Sequence, residues 1–140
     1  MTTVAANRDY IAADSLLVGD HMGHGRKVFK VKGHCVGIAG TYIACVNFIR
    51  WYKRRDKDDP PDGIEDVSAL VLMPSGVIRV YEGSINYYEV EDDFCAIGSG
   101  AGPALAAMHL GCSPVQAIET AAKVDAYTGG KIHIRRRGKE

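Results

Sequence analysis

The sequence predicts an α+β fold in which two antiparallel sheets face each other and helices cover their outer sides. Predicted strands follow one another as hairpins and do not alternate with helices, which argues against a parallel strand–helix–strand arrangement. The run Cys35-Val36-Gly37-Ile38-Ala39 is apolar throughout, as expected for a strand covered on both faces. Helical periodicity is confined to three segments, one near the middle of the chain and two near its end.

The first half of the chain predicts four strands and then one helix. Residues 3–6 and 10–14 flank the turn residues Asn7-Arg8-Asp9 and predict a hairpin. After a glycine-rich loop at 19–25, residues 28–31 and 35–39 predict a second hairpin. From Thr41 onward, apolar residues recur on one face of a helix, namely Tyr42, Cys45, Val46, Ile49 and Tyr52. The helix ends in the charged run KRRDKDD, and Pro60-Pro61 forbids its continuation.

The second half predicts four more strands, two helices and a last strand. The strands are expected at residues 68–73, 77–81, 87–90, 94–97 and 131–135. Pro103 is expected as the first residue of one helix, which Gly111 closes. Ser113-Pro114-Val115-Gln116 is a capping box, so a second helix is expected from there to about Val124.

Length and composition predict one globular domain spanning residues 1–140. The chain is 46% hydrophobic and 24% charged, with 17 basic and 17 acidic residues. This balance argues against a nucleic acid or a membrane surface as the partner. No apolar run reaches the ~18 residues that a membrane span needs, and a signal-peptide pattern is missing. A cytoplasmic location is therefore expected.

The cysteines and histidines predict no metal site and no cofactor. The four cysteines form no CxxC pair and no zinc-type cluster, so they are expected to be reduced, mostly buried thiols. His21 and His24 lie three residues apart in HMGHGRK, where glycines flank them. A loop pair without function is preferred there over a metal site.

The N-terminal segment MTTVAANRDYIAADS runs almost directly into an apolar strand. Such a terminus is expected to be held in a sheet, since loose termini are usually polar. Methionine before a small residue is commonly trimmed, which would leave Thr2 with a free α-amine beside its own hydroxyl. An α-amine has a pKa of about 7.7–8.0, so it can accept the hydroxyl proton near neutral pH. A retained Met1 would block that amine.

Five blocks, in order, resemble the proteasome β-subunits and the HslV peptidase, which belong to the N-terminal-nucleophile hydrolases. The blocks are TTVAANRDYIAADS, GRKVFKV, GIAGTYIAC, AIGSGAGPALAAMHLG and VDAYTGGKI, and they are spread along nearly the whole chain, from Thr2 to Ile132. The resemblance implies the αββα sandwich of that superfamily, here in a shortened member. It also implies a threonine endopeptidase that acts through Thr2 once Met1 is removed.

The resemblance assigns catalytic roles to four residues in the first forty. Thr2 would attack the scissile carbonyl, and its α-amine would act as the base. Lys27 would supply a cation beside the nucleophile, and Asp14 would hold Lys27 in place. Gly40 would present its backbone N–H to the oxyanion. Taken alone, Asp14 and Lys27 also fit a strand-end carboxylate and one charge of a basic stretch, and Gly40 fits a plain strand-to-helix turn.

Four later residues are implied around the α-amine. Ser99 and Asp125 would hydrogen-bond near it, and Thr128 and Gly129 would shape the same corner. Taken alone, these residues also fit a helix start and a helix-end turn. The motif GSGAGP resembles a phosphate-binding glycine loop as well, but it is not GxGxxG in a strand–helix–strand unit, so nucleotide binding is disfavoured.

The resemblance further implies a substrate pocket and partners. Residues placed to line the pocket for the residue before the cut are Leu17, Ile38, Tyr42 and Val46, which predict apolar substrate side chains; core packing is the equal alternative. A ring-type homo-oligomer, an unfolded polypeptide substrate and an ATP-dependent unfoldase are implied. The relatives' second long helix is replaced here by KRRDKDDPPDGIED, so Phe48 and Trp51 are expected to be exposed or to serve a different interface. A structural protein of the same fold and a small-molecule amidase remain alternatives.

Overall fold

The computed structural model describes residues 2–19, 22–54 and 59–138. It contains eleven strands and three α-helices within those ranges. The strands are β1 Val4–Asn7, β2 Tyr10–Ala13, β3 Leu16–Leu17, β4 Gly23–His24, β5 Val28–Val31, β6 His34–Gly40, β7 Val67–Leu72, β8 Ile78–Glu82, β9 Tyr87–Val90, β10 Phe94–Ile97 and β11 His133–Arg136. The helices are α1 Tyr42–Arg54, α2 Ala101–His109 and α3 Pro114–Val124. None of these helices has the length and apolarity needed to cross a membrane.

The strands form two main sheets in which every pairing is antiparallel. The four-stranded sheet has the order β10-β1-β2-β11, and the five-stranded sheet has the order β5-β6-β7-β8-β9. The strands β3 and β4 form a separate two-stranded ribbon. Because β1 lies between β10 and β2, the beginning of the chain is held inside a sheet, as the N-terminal sequence predicts.

The inner faces of the two sheets pack against each other. Val4 and Ile11 of the four-stranded sheet share a core with Leu70 and Ile78 of the five-stranded sheet. Gly37 on β6 lies so close to the opposite sheet that an added Cβ would come within 2.5 Å of a Val4 methyl carbon. The all-apolar strand predicted at 35–39 is therefore explained, because β6 is covered by a sheet on one side and by a helix on the other.

Helix α1 covers the outer face of the five-stranded sheet. Its side chains pack with Val36, Ile38 and Tyr81 in one hydrophobic cluster. The expectation that Phe48 and Trp51 would be exposed or used for another interface is wrong, since they are only 0% and 6% exposed. Both rings pack in this cluster, where Phe48 lies 5.2 Å from Tyr81 between ring centroids.

Helices α2 and α3 cover the outer face of the four-stranded sheet. Small residues of that face, including Ala5 and Ala12, let the two helices approach closely. The capping box at the start of α3 is present, since Ser113 accepts from the Gln116 backbone N–H and the Gln116 side chain accepts from the Ser113 N–H. The sequence predicts Pro103 as the first residue of this helix, whereas α2 begins at Ala101 and Pro103 is its third residue. A proline is tolerated there because the backbone N–H groups of the first helical turn have no acceptor within the helix.

The layer order helix–sheet–sheet–helices confirms the predicted αββα sandwich. The glycine-rich loop predicted at 19–25 differs from expectation, since Gly23–His24 pairs with Leu16–Leu17. Between α1 and β7, the part of the chain that the structure describes forms one short 3-10 helix at Ile64–Asp66 and no second long helix.

Candidate active site

The Thr2 side chain lies at the centre of a buried polar cluster just before β1. Thr2 is 2% exposed, and its backbone is held at both ends. Its nitrogen donates to Ser99 Oγ at 3.0 Å, and its carbonyl oxygen accepts from the Gly100 N–H at 3.2 Å. Met1 lies outside the described residues. The position of the Thr2 nitrogen is therefore fixed by the loop between β10 and α2.

Asp14 and Lys27 lie next to the Thr2 hydroxyl. The hydroxyl donates to Asp14 Oδ1 at 2.5 Å and accepts a hydrogen bond from Lys27 Nζ. Lys27 also donates to Asp14 Oδ1 at 3.0 Å, which makes the two an ion pair. Asp14 follows β2 directly and Lys27 precedes β5, so one residue from each sheet reaches the Thr2 hydroxyl. Three residues far apart in sequence thus share one hydrogen-bonded cluster.

The Asp14 carboxylate is held by backbone groups as well as by side chains. Oδ1 accepts from the Thr3 N–H at 3.2 Å, and Oδ2 accepts from the Gly129 N–H at 2.9 Å. A buried carboxylate is expensive unless its lone pairs are satisfied. With two backbone donors, a hydroxyl and an ammonium, Asp14 is satisfied as an anion and is fixed in position.

Burial changes the proton affinity of groups around this cluster. Burial lowers the pKa of Lys27 below its ordinary value, although the Asp14 carboxylate works in the opposite direction. Burial also raises the pKa of the Cys45 thiol to about 12, an effect that the nearby Lys27 ammonium partly offsets. Cys45 is therefore a neutral thiol at neutral pH and is not nucleophilic there.

A second hydrogen-bonded chain supports the Thr2 nitrogen. Ser99 Oγ, which accepts from that nitrogen, donates to Asp125 Oδ2 at 2.6 Å. Thr128 Oγ1 donates to the same Asp125 oxygen at 2.7 Å, and it lies 2.7 Å from Thr3 Oγ1. Burial alone would raise the pKa of Asp125, but the hydrogen bonds from Ser99, Thr128 and the Tyr127 N–H outweigh it and lower that pKa. Asp125 is thus an anion that orients both hydroxyls.

An apolar pocket of about 150 Å³ opens beside Thr2 and Lys27. Its lining includes three of the residues for which a pocket role was predicted, namely Leu17, Ile38 and Tyr42. Val46 is not among the lining residues, because the helix turns Cys45 toward the pocket instead. The pocket can accept a small or medium apolar side chain next to Thr2.

Gly40 also lines this pocket, at the point where β6 passes into α1. Its φ of +129° belongs to a region that only glycine adopts readily, and an added Cβ would overlap the Asp66 carbonyl oxygen. Both interpretations of Gly40 from the sequence are compatible with this geometry. The turn requires glycine, and the same turn brings backbone to the edge of the pocket.

The structure brings all eight predicted catalytic positions to one region, and it adds residues that the sequence analysis did not select. Thr3 is fully buried and pairs with Thr128. Gly98 and Gly100 approach so closely that an added Cβ would overlap the Thr2 carbonyl oxygen or the Thr3 hydroxyl. The repeated glycines of GSGAGP were the available signal: they allow this loop to lie against the N-terminal strand.

Two further predictions from the sequence were that the chain has no metal site and that its cysteines are reduced, mostly buried thiols. Within residues 2–19, 22–54 and 59–138, no group of three His, Cys, Asp or Glu side chains could hold a metal ion. His21, half of the histidine pair, lies outside the described residues. All four cysteines are free thiols: Cys35 and Cys45 are buried, and Cys95 and Cys112 are half-buried.

Comparison with protein-family models and with curated proteins gave no match. Solved structures do match over nearly the whole chain. HslV from Trypanosoma brucei superposes with a TM-score of 0.74 at 16% identity, covering 96% of this chain and 98% of that chain. Thiobacillus denitrificans BPH superposes with a TM-score of 0.70 at 18% identity, and its complex with epoxomicin superposes with a TM-score of 0.72 at 17% identity. Each match covers 99% of both chains. The chain therefore has the αββα sandwich fold of the HslV-type N-terminal-nucleophile hydrolases.

Proposed function

We propose that this protein is a threonine peptidase whose nucleophile is Thr2, made available by removal of Met1. The observation that carries the proposal is the cluster in which the Thr2 hydroxyl meets Lys27 and Asp14 beside an apolar pocket. A hydroxyl is a weak nucleophile unless a base lies next to it and a nearby cation stabilises the alkoxide that develops. The fold shared with HslV supports the same reaction class.

In the proposed first step, Thr2 Oγ1 attacks the scissile carbonyl carbon. Its proton, which the resting structure directs at Asp14, passes to the free α-amine, and the carbonyl oxygen becomes an oxyanion beside Gly40. The ammonium then returns the proton to the leaving amine as the C–N bond breaks, which leaves an ester on Thr2. Water hydrolyses that ester, with the same amine accepting and then returning the proton.

The two supporting clusters have distinct roles in this scheme. Lys27 remains a cation that favours the alkoxide form of Thr2, and Asp14 keeps that cation in place. Ser99 accepts from the Thr2 nitrogen while it donates to Asp125, so the α-amine that removal of Met1 creates would keep one fixed orientation. An amide nitrogen at this position would have no basic lone pair, and for this reason Met1 must be removed.

The substrate in this proposal is an unfolded polypeptide with an apolar residue before the cut. The walls of the pocket, such as Leu17 and Ile38, are aliphatic, and its volume suits one apolar side chain. By analogy with the fold neighbours, we propose further that the protein forms a ring-type homo-oligomer in the cytoplasm and that an ATP-dependent unfoldase delivers its substrate.

Intact mass spectrometry with a covalent probe tests the proposal. We expect the purified protein to lack the mass of Met1 and, after incubation with epoxomicin, to gain one molecule per chain at Thr2. The variant Thr2→Ala should gain nothing, whereas the neighbouring Thr3→Ala, once shown to be folded, should still react. A protein that loses Met1 but forms no adduct and cleaves no peptide would refute the peptidase and favour a structural role.

Substrate length separates the peptidase from an amidase. We expect hydrolysis of unfolded casein and of fluorogenic peptides with leucine before the cut. An adduct at Thr2 combined with hydrolysis of small amides alone would replace the peptidase with an amidase of the same chemistry. Light scattering at micromolar concentration tests the oligomer: a particle of 15.1 kDa would contradict self-association.

A further inference from the structure

A second cavity, of about 430 Å³, adjoins the proposed catalytic cluster but is not part of it. Ser15 and Arg26 line this cavity, and they are the sequence neighbours of Asp14 and Lys27. Its remaining walls come from His24, Gly25, Lys131 and His133. None of the lining residues belongs to the pocket beside Thr2. The cavity therefore needs an explanation of its own.

The side chains around the cavity carry positive charge. Arg26 and Lys131 are cations, and within the part of the chain that the structure describes neither of them forms an ion pair. No carboxylate is among the described lining residues. Burial lowers the pKa of His133, and the charges of Arg26, Lys131 and Arg135 lower it further. The described lining of the cavity thus carries positive charge with no carboxylate to balance it.

Two buried polar atoms at this cavity have no hydrogen-bond partner among the residues that the structure describes. They are the hydroxyl oxygen of Ser15, a residue that is 1% exposed, and Nδ1 of His133. Ser15 Oγ and the His24 ring both lie within 2.6 Å of the point that a Cβ on Gly130 would occupy. Gly130 has φ of +77°, so this position favours glycine and leaves the space open. Unsatisfied buried groups are rare in native proteins, so these two atoms call for a hydrogen-bond partner.

We propose that this cavity binds a phosphate-type oxyanion, held by Arg26, Lys131, Ser15 and His133. Arginine and lysine supply charge-assisted hydrogen bonds, and a guanidinium matches two oxygens of a phosphoryl group at once. The Ser15 hydroxyl and, in the tautomer protonated at Nδ1, the His133 ring are neutral donors without a partner among the described residues. The oxyanion is either free phosphate or the phosphate of a nucleotide. The proposal does not depend on peptidase activity.

Binding of inorganic phosphate to the whole protein tests the proposal at constant ionic strength, with chloride exchanged for phosphate. We expect saturable calorimetric binding, together with amide chemical-shift changes at Ser15, Gly130 and His133. The variants Arg26→Gln and Lys131→Gln should each weaken binding about tenfold, since each removes a charge-assisted contact. Ser15→Ala, which keeps the side-chain volume, should weaken it by a smaller factor.

The matched control is Lys123→Gln, which removes one positive charge from the exposed side of α3. It should leave phosphate affinity within a factor of two. ADP distinguishes the two sources of the oxyanion: tenfold tighter binding than phosphate indicates a nucleotide, and equal or weaker binding indicates the free ion. A linear, non-saturating response to phosphate, or equal loss of affinity in Lys123→Gln and Arg26→Gln, would overturn the proposal.

Discussion

Lys27 Nζ donates to Asp14 Oδ1 at 3.0 Å, and the two side chains are only 4% and 0% exposed. Removing such charges from water costs several kcal/mol each, which the attraction between them repays only if the remaining hydrogen-bonding groups are satisfied. Here the carboxylate has two backbone donors, Thr3 N–H and Gly129 N–H, besides the Thr2 hydroxyl. The pair is therefore costly to place in the core and is held in one geometry, as expected for a group with a functional role.

The variant Lys27→Ala is expected to lose peptide hydrolysis by at least about 100-fold, because the alkoxide that develops on Thr2 loses its adjacent cation. Its free energy of unfolding should also fall by about 3 kcal/mol, since Asp14 is left as a buried charge with fewer partners. The variant should therefore unfold at a lower urea concentration. A domain of this size with ordinary stability remains folded after such a loss. Turnover assays and urea titrations followed by circular dichroism measure both effects.

The exposed lysine at position 123 gives the control for that experiment. Lys123→Ala removes the same group from the surface of α3 and should change neither turnover nor stability by a measurable amount. If Lys27→Ala retained the turnover of the unmodified protein, the role proposed for this lysine would be refuted.

The lowered pKa of Lys27 predicts a pH dependence of stability. Between the folded-state pKa and the unfolded value of 10.5, the unfolded chain binds more protons at this residue than the folded chain does. The contribution of Lys27 to the free energy of unfolding must therefore rise with pH through that window. Urea titrations from pH 7 to 10.5 should show that the free energy of unfolding rises less, or falls more steeply, with pH in Lys27→Met than in the unmodified protein. A pH-independent difference between the two proteins would contradict the prediction.

Gly40→Ala is expected to destabilise the protein by about 2 kcal/mol or more, since φ of +129° is strained for any residue with a Cβ. The added carbon also overlaps the Asp66 carbonyl, so the wall of the pocket must shift and hydrolysis should be lost. Gly102→Ala in α2 is the matched control, because nothing lies within 4 Å of its added carbon. The free energy of unfolding of that variant should be higher by about 0.5–1 kcal/mol. Equal melting temperatures for the two variants would exclude this account of Gly40.

Cys45 is expected to resist alkylation in the folded protein despite lying at the pocket. With its pKa raised to about 12, roughly one thiol in ten thousand is ionised at pH 8, and only the thiolate reacts. Iodoacetamide at pH 8 should label the half-buried Cys112 first and leave Cys45 unmodified until urea is added. Peptide mass spectrometry after timed quenching gives the order, and labelling of Cys45 as early as Cys112 would disprove the assignment.

Most of the fold could be predicted because its elements follow from local patterns. The strands β9 and β10 and the capping box of α3 lie where alternation and residue type indicate. The burial of Phe48 and Trp51 could not be predicted in this way, because it depends on Tyr81 and on the sheet beneath α1. Long-range packing, and not helical periodicity, determines how wide the buried face of a helix is.

Apart from Thr2, to which its place after Met1 also points, the candidate site was accessible from the sequence only through the resemblance to N-terminal-nucleophile hydrolases. No spacing rule links Thr2, Asp14 and Lys27, which meet because β1 and β2 pair while β5 belongs to the opposite sheet. The role of Thr3 was missed for a similar reason, since its partner Thr128 lies 125 positions further along the chain. Such contacts are properties of the topology and leave no local pattern.

The enclosed position of the Thr2 nitrogen, 3.0 Å from Ser99 Oγ, has a practical consequence for anyone producing the protein. An affinity tag fused ahead of this residue and not removed would keep the nitrogen as an amide. Under the proposed mechanism, preparations made that way would be folded and yet fail to hydrolyse peptides. A tag placed after Glu140, or one whose removal leaves Thr2 first, keeps the protein assayable.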